Sequence, residues 1–171
     1  MTISSSTRKA GPYIGNGITT TFPFAYKVFA GDDVLVVELD TATGIETQLE
    51  YNSGYTVELN ENQNTNPGGS VTLVELDSEG SLTPVPLAIG HDLVLSSDML
   101  NLQPTDITNQ GGFYPNIVED ALDRAVIQIQ QLQDGVDRAV KISQFSDDSA
   151  LAQLVNDITC LLYTSPSPRD Q

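Results

Sequence analysis

The chain has 171 residues, enough for one ordinary domain and an appendage, which excludes a large multidomain enzyme. Its 23 acidic residues outnumber 7 basic ones, and the resulting net charge of −16 argues against sequence-independent binding to nucleic acid or an anionic membrane. Hydrophobic residues still make up 39% of the sequence, so we expect the chain to fold.

The N-terminal part contains few signals of regular structure. Residues 1–17 are predicted to form an arm; their first nine are polar and lack the apolar core of a secretory signal. With one cysteine, Cys160, and one histidine, His91, the sequence offers neither an internal disulfide nor a multi-histidine metal site. We expect no cofactor and no metal ion.

Residues 18–110 are typical of a β-sheet domain. Short segments rich in β-branched and aromatic residues, several of them alternating between apolar and polar, are separated by turn-forming Gly, Asn, Asp and Pro residues. Pro23 predicts an edge, bulge or bend between the first two segments. The predicted strands are 18–22, 24–29, 34–39, 55–59, 71–73 and 93–96. No helical pattern separates them, so we predict an antiparallel, sandwich-like fold and not a doubly wound nucleotide-binding fold.

An elbow and an amphipathic helix are predicted over residues 111–145. Asn116 and Glu119 have the spacing of a helix cap. A seam of apolar residues then follows at alternating spacings of 4 and 3, and its members are Val118, Leu122, Ala125, Ile129, Leu132, Val136 and Ala139. This heptad pattern indicates a C-terminal α-helix that forms or starts a coiled coil between identical chains. The alternative is an amphipathic helix that lies on its own sheet.

Candidate chemical sites are few. The alternating asparagines of residues 60–66 resemble the start of a calcium loop, but Asn60, Thr65 and Val71 occupy the positions that need an acid, a glycine and a glutamate. A polar hairpin loop is the better interpretation. Asp32–Asp33 and Asp147–Asp148 could serve acid–base chemistry only if burial separated their pKa values. No nucleophile, phosphate-binding or metalloprotease motif accompanies them, so we predict that the chain is not an enzyme.

The C-terminal residues include a segment that resembles a translated laboratory sequence. Residues 146–159 are predicted to begin a further segment. Residues 160–170 read as a translation of the transposase adapter used to prepare sequencing libraries. We therefore expect residues 160–171 to be non-native and the natural protein to differ after about Thr159.

Several stretches together resemble a known family. They are residues 13–29, 54–57, 66–71 and 102–115, the last running into 118–132. In order and spacing they are similar to the N-terminal domain of tail fibre and tailspike proteins of short-tailed bacteriophages. The resemblance implies an anchor that joins a homotrimeric fibre or spike to the virion tail, assembled in the bacterial cytoplasm. Its implied partners are copies of itself and phage tail proteins, with host glycans bound only by a distal part missing here.

Residues for these contacts can be nominated. The seam is the predicted oligomerisation surface. The attachment candidates are aromatic or lie in the elbow, and they are Phe22, Phe24, Tyr26, Phe29, Gln110, Phe113 and Tyr114. The alternative is that most of these aromatic side chains fill the sheet core. Two other functions remain open: a glycan-binding module, although the sequence has no Trp and only 6% aromatic residues, or a truncated polysaccharide depolymerase.

Overall fold

The computed structural model describes residue 3 and residues 5–106 and 114–139. Within them lie eight strands, a single 3₁₀ turn at Gly31–Asp33 and one helix. The strands are β1 Lys9–Ile14, β2 Thr21–Phe24, β3 Val34–Asp40, β4 Ile45–Gln48, β5 Tyr55–Leu59, β6 Gly69–Leu76, β7 Leu82–Pro84 and β8 His91–Ser97, and the helix α1 is Pro115–Arg138. The described part of the chain contains no helix long and apolar enough to cross a membrane.

The strands form antiparallel sheets that share one core. One sheet has the order β1-β8-β3-β4, and the other has the order β2-β6-β5, with β7 pairing to the far part of β6. Alternate residues of β3 and β8 point inward, so Val34 and Val36 of β3 pack with Leu93 and Leu95 of β8, all four fully buried. The second sheet contributes Phe22, Phe24, Tyr55, Val71 and Leu73 to the same cluster. The prediction of a mainly antiparallel β fold followed by one helix is confirmed.

The strand predicted over residues 24–29 is wrong. β2 passes through Pro23 and ends at Phe24, with Pro23 opposite Ser70 of β6. β2 pairs with β6 alone at this position, and an edge strand tolerates a residue that lacks a backbone N–H. The next part of the chain buries Tyr26, Lys27 and Val28 in succession, which a strand with one buried face cannot do.

Three strands were not predicted: β1, β4 and β7. β1 lies inside the segment interpreted as an arm and pairs with β8 from Lys9 opposite Ser96 to Ile14 opposite Asp92. An irregularity between Ala10 and Tyr13 interrupts its register. Gly11 at this point has a φ of +99°, and a Cβ added there would lie 2.7 Å from the carbonyl oxygen of Leu93. Gly11 permits this close approach because it has no Cβ. Gly11 and Pro12 are also typical turn residues, so the sequence of β1 does not show the alternation that predicts a strand.

The helix begins one residue earlier than its predicted cap. Pro115 is the first helical residue and Asn116 therefore lies within the first turn. Proline suits this position because its fixed φ matches the helix and its missing N–H would have had no partner there. The compact unit Met1–Asp134 contains all the strands and α1 up to Asp134, while Gly135 begins a second unit.

Some sequence predictions fall on residues 107–113 and 140–171, which lie outside the described residues. They concern most of the elbow, the acidic pair and the C-terminal segments. The residues and ranges are Gln110, Phe113, Asp147–Asp148, 146–159 and 160–171.

Candidate functional site

Helix α1 packs on the β domain through the face opposite its heptad seam. Ile127 is fully buried and Asp123 is 2% exposed. Ile127 stands nine residues from both Val118 and Val136, which at about 3.6 residues per turn is two and a half turns in each direction. The buried line of the helix and the seam are therefore on opposite sides.

A buried ion pair fixes this orientation. The Nζ of Lys27 lies 2.8 Å from Oδ2 of Asp123 and 3.1 Å from Oδ1 of Asp120. It also donates to Oδ1 of Asn64 at 2.5 Å. The side chains of Lys27 and Asp123 are only 5% and 3% exposed. An ammonium group has three N–H donors, and here each has an acceptor, so the buried charge is both neutralised and hydrogen-bonded.

Phe29 lies beside this ion pair and contacts two cations. The Nζ of Lys27 and the Cζ of Arg124 are each 4.8 Å from the centre of its ring. Such contacts are attractive because the face of an aromatic ring is electronegative. The half-buried Phe29, an attachment candidate in the sequence, therefore helps to seat α1 on its own domain.

Side-chain amides hold one flank of α1 against residues 99–102, named here the leucine segment. Oε1 of Gln131 accepts from the backbone N–H of Met99 at 3.2 Å, and its Nε2 donates to the Met99 carbonyl at 3.2 Å. Nε2 of Gln128 donates to the carbonyls of Leu100 at 2.8 Å and Leu102 at 3.1 Å. These two glutamines lie outside the heptad seam and satisfy the backbone of a neighbouring segment.

The other flank meets the N-terminal residues. Nε2 of Gln130 donates to the carbonyl of Ser5 at 3.1 Å. Arg8 is only 6% exposed, and its guanidinium donates to the carbonyl of Lys27. The Cζ of Arg8 lies 5.2 Å from the centre of the Tyr26 ring. Burial lowers the pKa of Arg8 and raises the pKa of Tyr26.

The seam itself is left uncovered. Leu122, Ile129 and Leu132 are 62%, 65% and 68% exposed. Val118 is half-buried, and the remaining seam residues Ala125, Val136 and Ala139 are exposed. As in the alternative interpretation, α1 does lie against its own domain, but it does so through Asp123 and Ile127 and not through the seam. Within the first unit, Leu122, Ala125, Ile129 and Leu132 form an exposed apolar strip on α1.

Three of the five aromatic attachment candidates that the structure describes are core residues. Phe22, Phe24 and Tyr26 are 4%, 5% and 4% exposed, so they cannot contact another protein in this fold. They fill the space between the sheets, because alternate positions of β2 point inward and Tyr26 stacks on Phe24 with ring centres 4.8 Å apart. Among the described candidates, Phe29 contacts Arg124 of α1. Tyr114 is 63% exposed and stays accessible to another protein.

The asparagine-rich loop of residues 60–66 supports the ion pair of Lys27. Oδ1 of Asn62 accepts from the backbone of Asn64 and Thr65, and Gln63 bonds the backbone of Gly68 through both ends of its amide. These bonds rigidify the loop that presents Asn64 to Lys27. Over residues 5–106 and 114–139, no group of three or more His, Cys, Asp or Glu could hold a metal ion.

Lys27 and Asp123 were missed by the sequence analysis. A signal did exist, since Lys27 is the single Lys or Arg between Lys9 and Arg124 and stands in an otherwise apolar and aromatic segment. A lone cation in such a segment must find an anionic partner if the segment is buried. The identity of that partner depends on the tertiary fold, because 96 residues separate it from Lys27.

Comparison with known proteins gives one informative similarity. No protein-family model matches the chain. Over 134 residues it is 33% identical to the tail spike protein of Salmonella phage epsilon15. The aligned region covers 78% of this chain and 11% of that protein, so the chain spans a small part of its relative's length. The chain is thus similar, over most of its residues, to a section of a phage tail spike protein.

Proposed function

We propose that the chain is a structural component of a phage tail, and that it acts as the N-terminal anchor through which a homotrimeric spike or fibre is attached to the virion. The observation that carries this proposal is the exposed heptad seam on a helix whose opposite face is fixed to the β domain. A helix held in this way presents its apolar strip outward, where identical helices can cover it.

The similarity to a tail spike protein supports the location in the virion tail. We infer the trimer from the resemblance of the sequence to homotrimeric fibres and spikes. Three copies would carry three β domains, so several weak contacts with tail proteins would act together and need no single tight site. Nothing in this role requires catalysis.

Substitution of the seam tests the self-association. We expect the double change Leu122→Asp and Ile129→Asp to convert the assembly into single chains, because it places two carboxylates in each chain's apolar contact. The β domain should remain folded, since both positions are exposed in one chain. Sedimentation velocity measures the association, and circular dichroism reports the fold.

A matched control distinguishes the seam from general surface hydrophobicity. Ile18 and Ile89 are 81% and 78% exposed but lie outside the helix. The double change Ile18→Asp and Ile89→Asp should leave the association unchanged. Equal association of the seam variant and the unmodified chain would contradict the proposal.

The virion location needs a separate experiment. Antibodies raised against this chain should label the tails of particles of the phage that encodes it, as seen by electron microscopy. Purified particles that carry no label, or label only on the capsid head, would contradict the proposed role.

A further inference from the structure

The leucine segment carries a second apolar surface beside the seam. Leu100 and Leu102 are 73% and 65% exposed, whereas Met99 at the start of the segment is 2% exposed. The side chain of Met99 is buried, and the amides of Gln128 and Gln131 hold the backbone of the segment against α1. Two leucines are thus exposed on a backbone that is fixed by hydrogen bonds.

The position of this surface follows from the helix. Gln128, which binds the carbonyls of both leucines, lies four residues before Leu132 and three after Ala125. At about 100° per residue, it is roughly 40° from Leu132 and 60° from Ala125 around the helix. Gln128 therefore borders the seam directly, at the type of position that contacts the neighbouring helix in a coiled coil.

We propose that Leu100 and Leu102 are part of the interface between copies of this chain, where they pack on the helix of a neighbouring copy. This inference rests on the proposed self-association and names a surface that the heptad pattern does not include. The occupant is a second copy because the leucines continue the flank of a seam whose repeat suits an identical helix. The seam also needs such support, since it is about three heptads long, contains Ala125 and Ala139, and joins chains of net charge −16.

Chemical protection tests this contact directly. In a Cys160→Ser background, the Leu102→Cys variant is treated with N-ethylmaleimide, once alone and once combined with Leu122→Asp and Ile129→Asp. We expect the thiol to react about tenfold or more slowly in the assembled chain than in the dissociated one, because a neighbouring copy covers it. The matched Ile18→Cys variant should react at the same rate in both states.

The outcomes separate this inference from the proposed function. If the chain associates through the seam and the Leu102→Cys thiol still reacts at equal rates in both states, the inference is overturned and the self-association stands. If the unsubstituted chain is a single copy at every concentration, the proposed function fails as well.

A second variant measures the contribution to association. The double change Leu100→Ser and Leu102→Ser should weaken self-association by about tenfold or more while the single chain stays folded. Unchanged association would overturn the inference.

Discussion

At the scale of single residues, the buried ion pair of Lys27 and Asp123 joins α1 to the β domain. Removal of one partner from a buried ion pair leaves an uncompensated charge, which costs much more than the pair contributes. The sequence predicted the strand that carries Leu93 and Leu95, because alternating apolar residues are typical of a strand with one buried face. It could not predict the ion pair, because two residues 96 positions apart meet only after the fold exists.

The first residue-scale prediction concerns Asp123. We expect Asp123→Ala to destabilise the folded chain by about 3 kcal/mol, because Lys27 then keeps only Asp120, which is 48% exposed, as a charged partner. Urea unfolding measures this change. The control Glu46→Ala, at an exposed position of β4, should change the free energy of unfolding by less than about 0.5 kcal/mol. Equal effects of the two substitutions would show that the ion pair does not stabilise the fold.

The second residue-scale prediction concerns alkaline pH. Burial raises the pKa of Tyr55 from 10.0 to about 12, and its hydroxyl donates to the carbonyl of Val34. The folded chain therefore retains a proton that the unfolded chain releases, so the stabilisation is complete below pH 10 and is lost as the pH rises towards 12. Urea unfolding between these pH values should show a smaller loss of stability for Tyr55→Phe than for the unsubstituted chain. An identical pH dependence would contradict this assignment.

At the scale of elements, the main difference between the sequence prediction and the structure is the face through which α1 contacts the β domain. The heptad pattern predicts that the apolar residues from Val118 to Val136 share one face of α1, because side-chain spacing on a helix is fixed by its pitch. The pattern could not show which face meets the β domain, since an amphipathic helix normally turns its apolar side inward. Here the ion pair and the glutamine amides hold the polar side inward, and the proposed self-association rests on this inversion.

The prediction at this scale concerns Gly135 in the last turns of α1. A Cβ added there meets nothing within 4 Å, so Gly135→Ala should increase the stability of the helix by about 0.5–1 kcal/mol and strengthen association. Gly44 also has open space around it, but its φ is +71°. Gly44→Ala should therefore destabilise the chain, since alanine is strained at that φ. Thermal unfolding of both variants checks the opposite signs, and a fall in melting temperature for Gly135→Ala would contradict the prediction.

At the scale of the whole molecule, the compact β domain carries a helix with its apolar strip facing away from the domain. The sequence resemblance to phage spikes and fibres implies an anchor, and the similarity to a tail spike protein supports a relationship to phage tail proteins. Under the proposed function this arrangement separates two tasks, because the seam would associate copies while the loops and sheet edges of each β domain would stay accessible. The attachment residues could not be selected from the sequence, because the aromatic residues that suggested adhesion are those that a small β core requires.

The central claim is that copies of the same chain cover the seam, and the mass of the 171-residue chain in solution tests it most directly. Sedimentation equilibrium over a wide range of concentrations should give a species of about three chain masses that dissociates on dilution. A species of one chain mass at every concentration would contradict the account.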